Sequence, residues 1–272
     1  MITLFLVPTP IGNLGDITVR ALEVLKSVNY IFAEDTRVSK RLLNHFGITN
    51  KKILSYHKFN EKKRAETILN ILKKNSVAII SDAGSPGISD PSFSVVNLAI
   101  SCGINICALP GATALIPAIT TSGLRTDNFL FVGFLPQKDS VLSKTLKKLS
   151  KIDCPIIFYE APHRLKKTLF KIHQTFGERK VSIARELTKI HETFYRGCLS
   201  EYIQDKEITI RGEFTIVVDG VKPKEKSLIT KELIFLESKK LIHLGKRKSS
   251  IAKIIAEKFG ISKRYVYEII HK

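Results

Sequence analysis

Two loops rich in glycine, proline and other small residues have the composition of a ligand-binding pocket. The first reads SDAGSPGISDP at residues 81–91 and follows the apolar run Val77–Ile80; the second reads LPGATA at residues 109–114 and follows the short run Asn105–Ala108. If both runs are strands of one parallel sheet, the loops lie together at its carboxyl edge, where ligands bind. Small side chains let a ligand approach the backbone, and proline fixes the loop shape. The pattern therefore predicts a rigid pocket lined by main-chain groups.

Several common catalytic signatures do not occur in the sequence. There is no G-x-G-x-x-G after a strand, no G-x-x-x-x-G-K-[ST], no G-x-S-x-G and no H-E-x-x-H. Hydride transfer, nucleotide hydrolysis and zinc-dependent hydrolysis thus lose their usual support. The four cysteines form no C-x-x-C pair, so we interpret them as reduced thiols and expect no metal site.

The first part of the chain, residues 1–125, alternates strand and helix patterns as parallel sheets do. The predicted strands are Ile2–Val7, Tyr30–Ala33, Ile53–Tyr56, Val77–Ile80 and Asn105–Ala108. The predicted helices include Thr18–Val28, capped by Asp16 or Thr18, Ser39–Phe46, stopped by Gly47, and Glu61–Lys74.

The second part, residues 126–221, has more strands and fewer crossover helices, which is typical of a mixed α/β domain. The predicted strands are Phe129–Val132, Pro155–Tyr159, Val181–Ala184, Glu192–Arg196 and Glu213–Val218. The predicted helices are Ser143–Leu149 and Leu165–Phe176.

The third part, residues 227–272, follows a charged segment, Val221–Lys226, that we interpret as a linker. It is helical in pattern and carries eleven Lys and Arg against four Asp and Glu. Ala256 lies four residues before Gly260, the spacing of a helix-turn-helix, with Ala256 where the helices touch and Gly260 in the turn. An ordinary amphipathic helix pair is the alternative.

A net charge of +19 indicates an anionic partner, nucleic acid first and a membrane surface second. Cations concentrate in Lys138–Lys180, with eleven Lys and Arg against four Asp and Glu, and in Lys62–Arg64. Lysine outnumbers arginine 32 to 12, so a genome-wide bias in composition is an alternative explanation. No apolar run reaches the length of a membrane span, and we expect a cytoplasmic protein.

Seven blocks of residues resemble one family in content and order. They are PTPIGNL at 8–14, AEDTR at 33–37, the loops 81–91 and 109–114, GFLP at 133–136, YEAPHR at 159–164 and RELTK at 185–189. The chain resembles the ribosomal RNA small subunit methyltransferase I family, a branch of the tetrapyrrole-methylase (class III) superfamily, over about residues 2–220. The tail is similar to the family's helical C-terminal extension.

This resemblance implies a two-domain α/β fold, a parallel-sheet domain followed by a mixed one, with S-adenosylmethionine in the cleft between them. It implies a homodimer that methylates the ribose 2′-oxygen of a cytidine in the decoding region of small-subunit ribosomal RNA, in an assembled 30S particle. The residues implied to bind the cofactor are Pro10, Ala83, Gly84, Ser85, Ile88, Thr113, Ala114, Glu160, Leu187 and Phe214. The wider superfamily has Gly-Asp-Pro where this chain has Gly84-Ser85-Pro86, which weakens any claim for a tetrapyrrole substrate.

A ribose hydroxyl is a weak acid, so a carboxylate, a neutral histidine or a lysine with a depressed pKa must take its proton. Glu34 and Asp35 follow the second predicted strand and are candidates, although Asp35 could instead cap a helix. Glu186 is another carboxylate candidate. Arg185 and Lys189 could orient RNA or tune a base; the alternative for these three is a salt-bridge network.

The candidate RNA-binding residues are cations and a histidine near predicted strand or helix ends. Each has a structural alternative: an ion pair with Asp35, a structural histidine, or a solvated surface cation. They are Arg37, His57 and Arg164, with Lys263 and Arg264 in the tail.

Two other functions remain open from the sequence. One is methylation of a tetrapyrrole or a modified protein side chain by the same fold. The other is a non-catalytic, RNA-binding ribosome-assembly factor that uses the pocket only as a sensor.

Overall fold

The chain forms two compact units, divided after Val221, in a computed structural model that describes residues 1–204, 207–221, 231–259 and 261–270. The first unit contains two five-stranded sheets. The domain boundary expected at residue 125 falls between these sheets, within that unit. Apart from Val221, the expected linker lies outside the described residues.

The N-terminal sheet is entirely parallel, as the alternating pattern predicts. Its strands are β1 (Thr3–Leu6), β2 (Tyr30–Ala33), β3 (Lys52–Ser55), β4 (Val77–Ile80) and β5 (Asn105–Ala108), in the order β3-β2-β4-β1-β5. Its helices are α1 (Val19–Ser27), α2 (Thr36–His45), α3 (Glu61–Leu72), α4 (Phe93–Ser101) and α5 (Leu115–Thr120). Leu6 lies opposite Ile79 on one side and Ala108 on the other, so the loops after β4 and β5 flank the loop after β1.

Both faces of the N-terminal sheet are covered, which explains why β4 is buried at every position. Ala78 and Ile80 pack in a core with α1 and α2, whereas Val77 and Ile79 pack in a core with α3 and α4. The start of α1 is capped by a side chain. The Thr18 hydroxyl accepts a hydrogen bond from the Ala21 amide at 3.1 Å, confirming one of the two predicted caps of α1.

The mixed sheet has the strand order β6-β7-β10-β8-β9, in which only β6 and β7 are parallel. Its strands are β6 (Leu130–Phe134), β7 (Ile156–Glu160), β8 (Lys180–Arg185), β9 (Thr193–Cys198) and β10 (Phe214–Val218). Its helices are α6 (Asp139–Leu149), α7 (Leu165–Phe176) and α8 (Leu199–Gln204). α6 starts four residues before its predicted start, and β9 ends two residues beyond its predicted end.

The described part of the second unit has helices α9 (Lys231–His243), α10 (Lys248–Phe259) and α11 (Lys263–Ile270). Ile251, Ile255 and Val266 form its core, with Ala256 packed against it. The Ile261 amide donates to the Ala256 carbonyl at 3.1 Å and closes the end of α10. Gly260, the predicted turn residue, lies outside the described residues.

Candidate active site

The loop after β4 is fixed to the loop after β1 by main-chain hydrogen bonds. The Thr9 and Gly84 backbones exchange two bonds, each of 2.9 Å. The Ser81 hydroxyl donates to the Gly84 carbonyl at 3.0 Å. Gly84 has a φ of +82°, a conformation that glycine adopts without strain. Hydrogen bonds to the main chain of Gly84 therefore fix the conformation of this loop.

The loop after β5 joins the same assembly. The Ser85 hydroxyl donates to the Ala112 carbonyl at 3.1 Å and links the two predicted pocket loops directly. Gly111 lies so close to Pro8 that a Cβ at position 111 would be 2.7 Å from the Pro8 Cβ. The two glycine- and proline-rich loops thus form one rigid wall, which we call the loop wall.

The mixed sheet supplies the facing wall from the ends of β7, β8 and β10. Leu187, which is buried, follows β8 between two residues with left-handed backbones, Glu186 with φ 52° and Thr188 with φ 67°. Such backbones are uncommon outside glycine and concentrate at functional sites. Gly212 lies against the Glu186 side chain with no space for a Cβ.

A cavity of about 420 Å³ lies between these walls. This volume is in the range of small-ligand sites. Nine of the ten residues that the sequence predicts as cofactor contacts line it: Ala83, Gly84, Ser85, Ile88, Thr113, Ala114, Glu160, Leu187 and Phe214. Pro10 lines a neighbouring depression with Ala83 and Asp82. The structure brings these residues together; their contact with a cofactor stays a prediction.

Carboxylates gather at one end of the cavity. Glu34, Asp82 and Asp90 all line it. Burial raises the pKa of Glu34, and the charge of Asp82 raises it further. Burial, followed by the charge of Glu34, raises the pKa of Asp90 to about 6. Glu34 is among the candidates that the sequence predicts, whereas Asp82 and Asp90 are not, although both carboxylates stand in the loop at 81–91.

Asp35, the other carboxylate candidate after β2, caps a helix. Its side chain accepts from the Arg37 amide at 2.8 Å, at the start of α2. The guanidinium of Arg37 lies 2.7 Å from the same carboxylate. The hydrogen bond from the Arg37 side chain holds the pKa of Asp35 well below its usual range. Both structural alternatives are thus present: Asp35 caps α2, and it forms an ion pair with Arg37. Because its pKa is lowered, Asp35 is a poor proton acceptor.

His57 lies beside the carboxylates. Its charge lowers the pKa of Glu34, against the raising effect of burial. Its Nε2 lies 3.2 Å from the Asn60 side-chain amide, and its Nδ1 is buried without a hydrogen-bond partner among the described residues. His57 is thus close enough to Glu34 to act on its charge, and a contact with RNA stays a prediction.

Glu160 and Arg164 hold the start of α7. The Glu160 carboxylate, which is buried, accepts from the Thr168 hydroxyl at 2.6 Å and the Ala161 amide at 2.9 Å. Arg164 lies 3.4 Å from that carboxylate and donates to the Leu135 carbonyl at 3.0 Å. With only 18% of its side chain exposed, Arg164 is turned into the protein. Its guanidinium contacts internal partners, and an RNA contact of Arg164 stays a prediction that this arrangement does not favour.

Arg185 braces the loop that precedes β10. Arg185 is buried and donates to the Arg211 carbonyl at 2.7 Å and the His191 carbonyl at 3.2 Å. Its hydrogen bonds are to main-chain carbonyls, which fits a positioning role.

Lys189 and Glu186 form an ion-pair network. The Lys189 ammonium lies 2.8 Å from Glu186 and 2.9 Å from Glu213. Burial alone would lower the pKa of Lys189, but the hydrogen bonds to both glutamates raise it. Burial raises the pKa of Glu186, but the hydrogen bonds from Lys189 and from the Glu213 amide, together with the charges of Lys189 and Arg185, lower it overall. The pKa of Lys189 is thus shifted away from that of a proton acceptor, and the salt-bridge alternative is the observed arrangement.

In the second unit, Lys263 and Arg264 are exposed at the start of α11, as the helix-turn-helix pattern predicts. Arg264 makes an exposed ion pair with Glu268 at 3.2 Å. Whether this helix contacts RNA stays a prediction.

Residues 3–203 match the family described as Tetrapyrrole (Corrin/Porphyrin) Methylases. Enzymes of this family are S-adenosylmethionine-dependent methyltransferases, which defines the class of protein. The crystal structure of cobalt precorrin-4 methyltransferase, a cobalamin biosynthetic enzyme, aligns with a TM-score of 0.60 and 17% identity, over 80% of this chain and 94% of that chain. At that identity the likeness shows the fold alone.

The relatives define the branch. A protein of Halalkalibacterium halodurans named Ribosomal RNA small subunit methyltransferase I is 42% identical, over 99% of this chain and 95% of that protein. Proteins of the same name from Synechocystis sp. and Escherichia coli O157:H7 are 43% and 40% identical, over 98% and 97% of this chain and 96% and 93% of theirs. The chain belongs to the ribosomal RNA small subunit methyltransferase I family, and the resemblance seen in the sequence is confirmed.

Among the described residues, the helices are all too short or too polar to cross a membrane.

Proposed function

We propose that this protein uses S-adenosylmethionine to methylate the ribose 2′-oxygen of a cytidine in the decoding region of 16S ribosomal RNA. One observation supports an oxygen atom as the methyl acceptor. Asp90 lines the cavity, and its pKa is raised to about 6. A ribose hydroxyl must lose a proton on methylation, and an acceptor with a pKa near neutrality is the most efficient kind. The relatives' name supports small-subunit ribosomal RNA as the substrate.

The cavity fits the cofactor in shape and charge. Its loop wall is built from small residues, so a ligand can reach the backbone of Gly84 and Ala114. Asp82 and Asp90 supply negative charge that complements a sulfonium cation. Ile88 and Leu187 supply apolar contacts on opposite sides. The bound cofactor supplies a methyl group on a positively charged sulfur, activated for displacement by an oxygen nucleophile.

The residues of the chain then align and deprotonate the acceptor. Hydrogen bonds keep the two loops of the loop wall in a fixed geometry. A cofactor held by this wall needs less ordering to react, which lowers the entropic part of the activation barrier. Asp90 accepts the proton of the 2′-hydroxyl. Glu34 raises the proton affinity of Asp90 through its charge, and His57 moderates the pKa of Glu34. Glu160, Arg185 and Lys189 hold the facing wall and take no proton.

The net charge of +19 supports a polyanionic partner. We place the reaction in the cytoplasm, on an assembled 30S particle, and the active form as a homodimer.

The test is to map the transferred methyl group. Methyl-labelled S-adenosylmethionine is incubated with enzyme and 30S subunits that lack the modification, and the RNA is digested to nucleosides for mass spectrometry. The expected product is a single 2′-O-methylcytidine. Its phosphodiester also resists alkaline cleavage, because that cleavage needs a free 2′-hydroxyl. Label on a base, or no label in RNA, would contradict the proposal.

A further inference from the structure

The outer helices of the mixed sheet present a charged surface that the active site does not use. Successive residues of β7 point to opposite faces of the sheet. Ile156 and Phe158 pack in the core under α6 and α7, whereas Ile157 packs on the side of the cavity. α6 buries Leu142 and Leu146 in the first of these cores. The remaining sides of α6 are therefore free to face solvent, on a rigid support.

Seven exposed lysines occupy this surface, which we call the lysine face. They are Lys138, Lys144, Lys147, Lys148 and Lys151, on and around α6, and Lys166 and Lys167 of α7. Lys144, Lys147, Lys148 and Lys151 follow the spacing that places residues on one side of a helix. Together with Ser150 these four line an open groove.

Few carboxylates neutralise the lysine face. Between residues 138 and 171, Asp139 lies 2.9 Å from Lys167 and Glu160 is buried against Arg164. Asp153 is exposed beyond the end of α6. Among the described residues, Lys167 is thus the one lysine of this face with an ion pair to a carboxylate, so most of the lysine charge is not neutralised by an ion pair.

The topology places one end of the lysine face at the cavity. α6 and α7 follow the parallel strands β6 and β7, and the last residues of these strands, Phe134 and Glu160, line the cavity. The helices therefore start at the cavity edge and run away from it. The 11 residues of α6 extend for about 16 Å. A chain bound at the cavity can continue along this surface over several phosphates.

We propose that the lysine face binds the sugar–phosphate backbone of the ribosomal RNA next to the target nucleotide. Ammonium groups on flexible stems suit phosphates that repeat along a strand, and an open groove suits a polymer better than an enclosed small molecule. This inference rests on the proposed function, because it makes the surface part of substrate binding.

The experiment removes three positive charges from the lysine face and three from elsewhere. The variant is Lys144→Gln/Lys147→Gln/Lys148→Gln. The matched control is Lys26→Gln/Lys73→Gln/Lys74→Gln, which removes exposed lysines from the helix layers of the N-terminal sheet. Glutamine keeps helix propensity close to that of lysine. Affinity for 30S subunits and for naked 16S ribosomal RNA is measured over a series of salt concentrations, and affinity for S-adenosylmethionine by calorimetry.

The lysine-face variant should bind both RNA forms roughly tenfold more weakly, with a salt slope smaller by about 2 to 3, since each phosphate contact contributes about 0.7 to 0.9. Its cofactor affinity and melting temperature should match those of the wild type, and the control should bind RNA as the wild type does. Equal weakening in variant and control would overturn the inference, because bulk charge alone would then explain binding. Unchanged binding in the variant would overturn it as well.

Weakened binding to 30S subunits but not to naked RNA would assign the surface to a ribosomal protein and would also overturn the inference. The proposed function would be contradicted by a different result, a methyl group mapped to an atom other than the ribose 2′-oxygen. The binding measurements do not depend on that outcome.

Discussion

Charged side chains have different roles in the two walls of the cavity. On the facing wall, Glu160, Arg185 and Lys189 are engaged in hydrogen bonds or ion pairs that hold loops and a helix start in place. On the loop wall, main-chain bonds hold the structure, and Asp90 in the first loop and Glu34 after β2 have raised pKa values. Paired charges build the shape of this site, and the carboxylates with raised pKa values are the ones available for proton transfer.

The largest expected effect comes from removing the proposed proton acceptor on the loop wall. Asp90→Asn should lower kcat by roughly 10²- to 10⁴-fold, the usual contribution of a general base. In the wild type, kcat should rise as the pH increases through about 6, because Asp90 accepts a proton only when ionised. The variant should lose that rise. Asp153→Asn, an exposed carboxylate away from the cavity, is the matched control.

The same variant should also be more stable at neutral pH. The pKa of Asp90 is raised in the folded state, so its contribution to stability is largest at low pH and is lost as the pH rises to about 6. Asparagine has no charge to desolvate, and Asp90→Asn should raise the Tm at pH 7. A lower Tm together with lower kcat would indicate a structural role and contradict the assignment.

The next effect tests the loop wall as a binding surface. Ser85→Trp places a large side chain in the cavity and should weaken S-adenosylmethionine binding by about 100-fold or more, because little space remains. Calorimetry measures the affinity, and circular dichroism checks the fold. Ser27→Trp, at an exposed position, should bind as the wild type does. Unchanged affinity in Ser85→Trp would remove this loop from the cofactor site.

A smaller effect is expected from the basic tail. Deleting residues 227–272 should weaken binding to 30S subunits about tenfold through the loss of eleven Lys and Arg, with a smaller salt slope. Cofactor affinity should not change, because the cavity lies in the first unit. Loss of cofactor binding in the truncated protein would show instead that the tail supports the cavity.

The smallest effect tests the facing wall. Lys189→Gln should lower the free energy of unfolding by at most about 1 kcal/mol, the usual range of partly exposed ion pairs. The pH dependence of kcat should keep its position, because Lys189 takes no proton. Lys180→Gln, at an exposed position, is the control for stability. A displaced pH profile in Lys189→Gln would bring this lysine into the chemistry.

The sequence predicts the fold and the loop wall because both depend on local patterns. Alternating strands and helices predict a parallel sheet, and glycine and proline mark the loops at its edge. The charged residues at and just after the end of β8 cannot be interpreted from local patterns. Their roles depend on Arg211 and Glu213, which approach only because β10 pairs with β8. Asp90 cannot be identified from the sequence for a similar reason, since its pKa depends on burial in a cavity that both sheets complete.

The most direct test of the account is a crystal structure of the complex with S-adenosylhomocysteine, the product form of the cofactor. The ligand should lie in the 420 Å³ cavity, against residues 81–91 and 109–114, with its sulfur facing Asp90. A ligand bound elsewhere, or a sulfur turned toward Lys189 and Glu186, would contradict it.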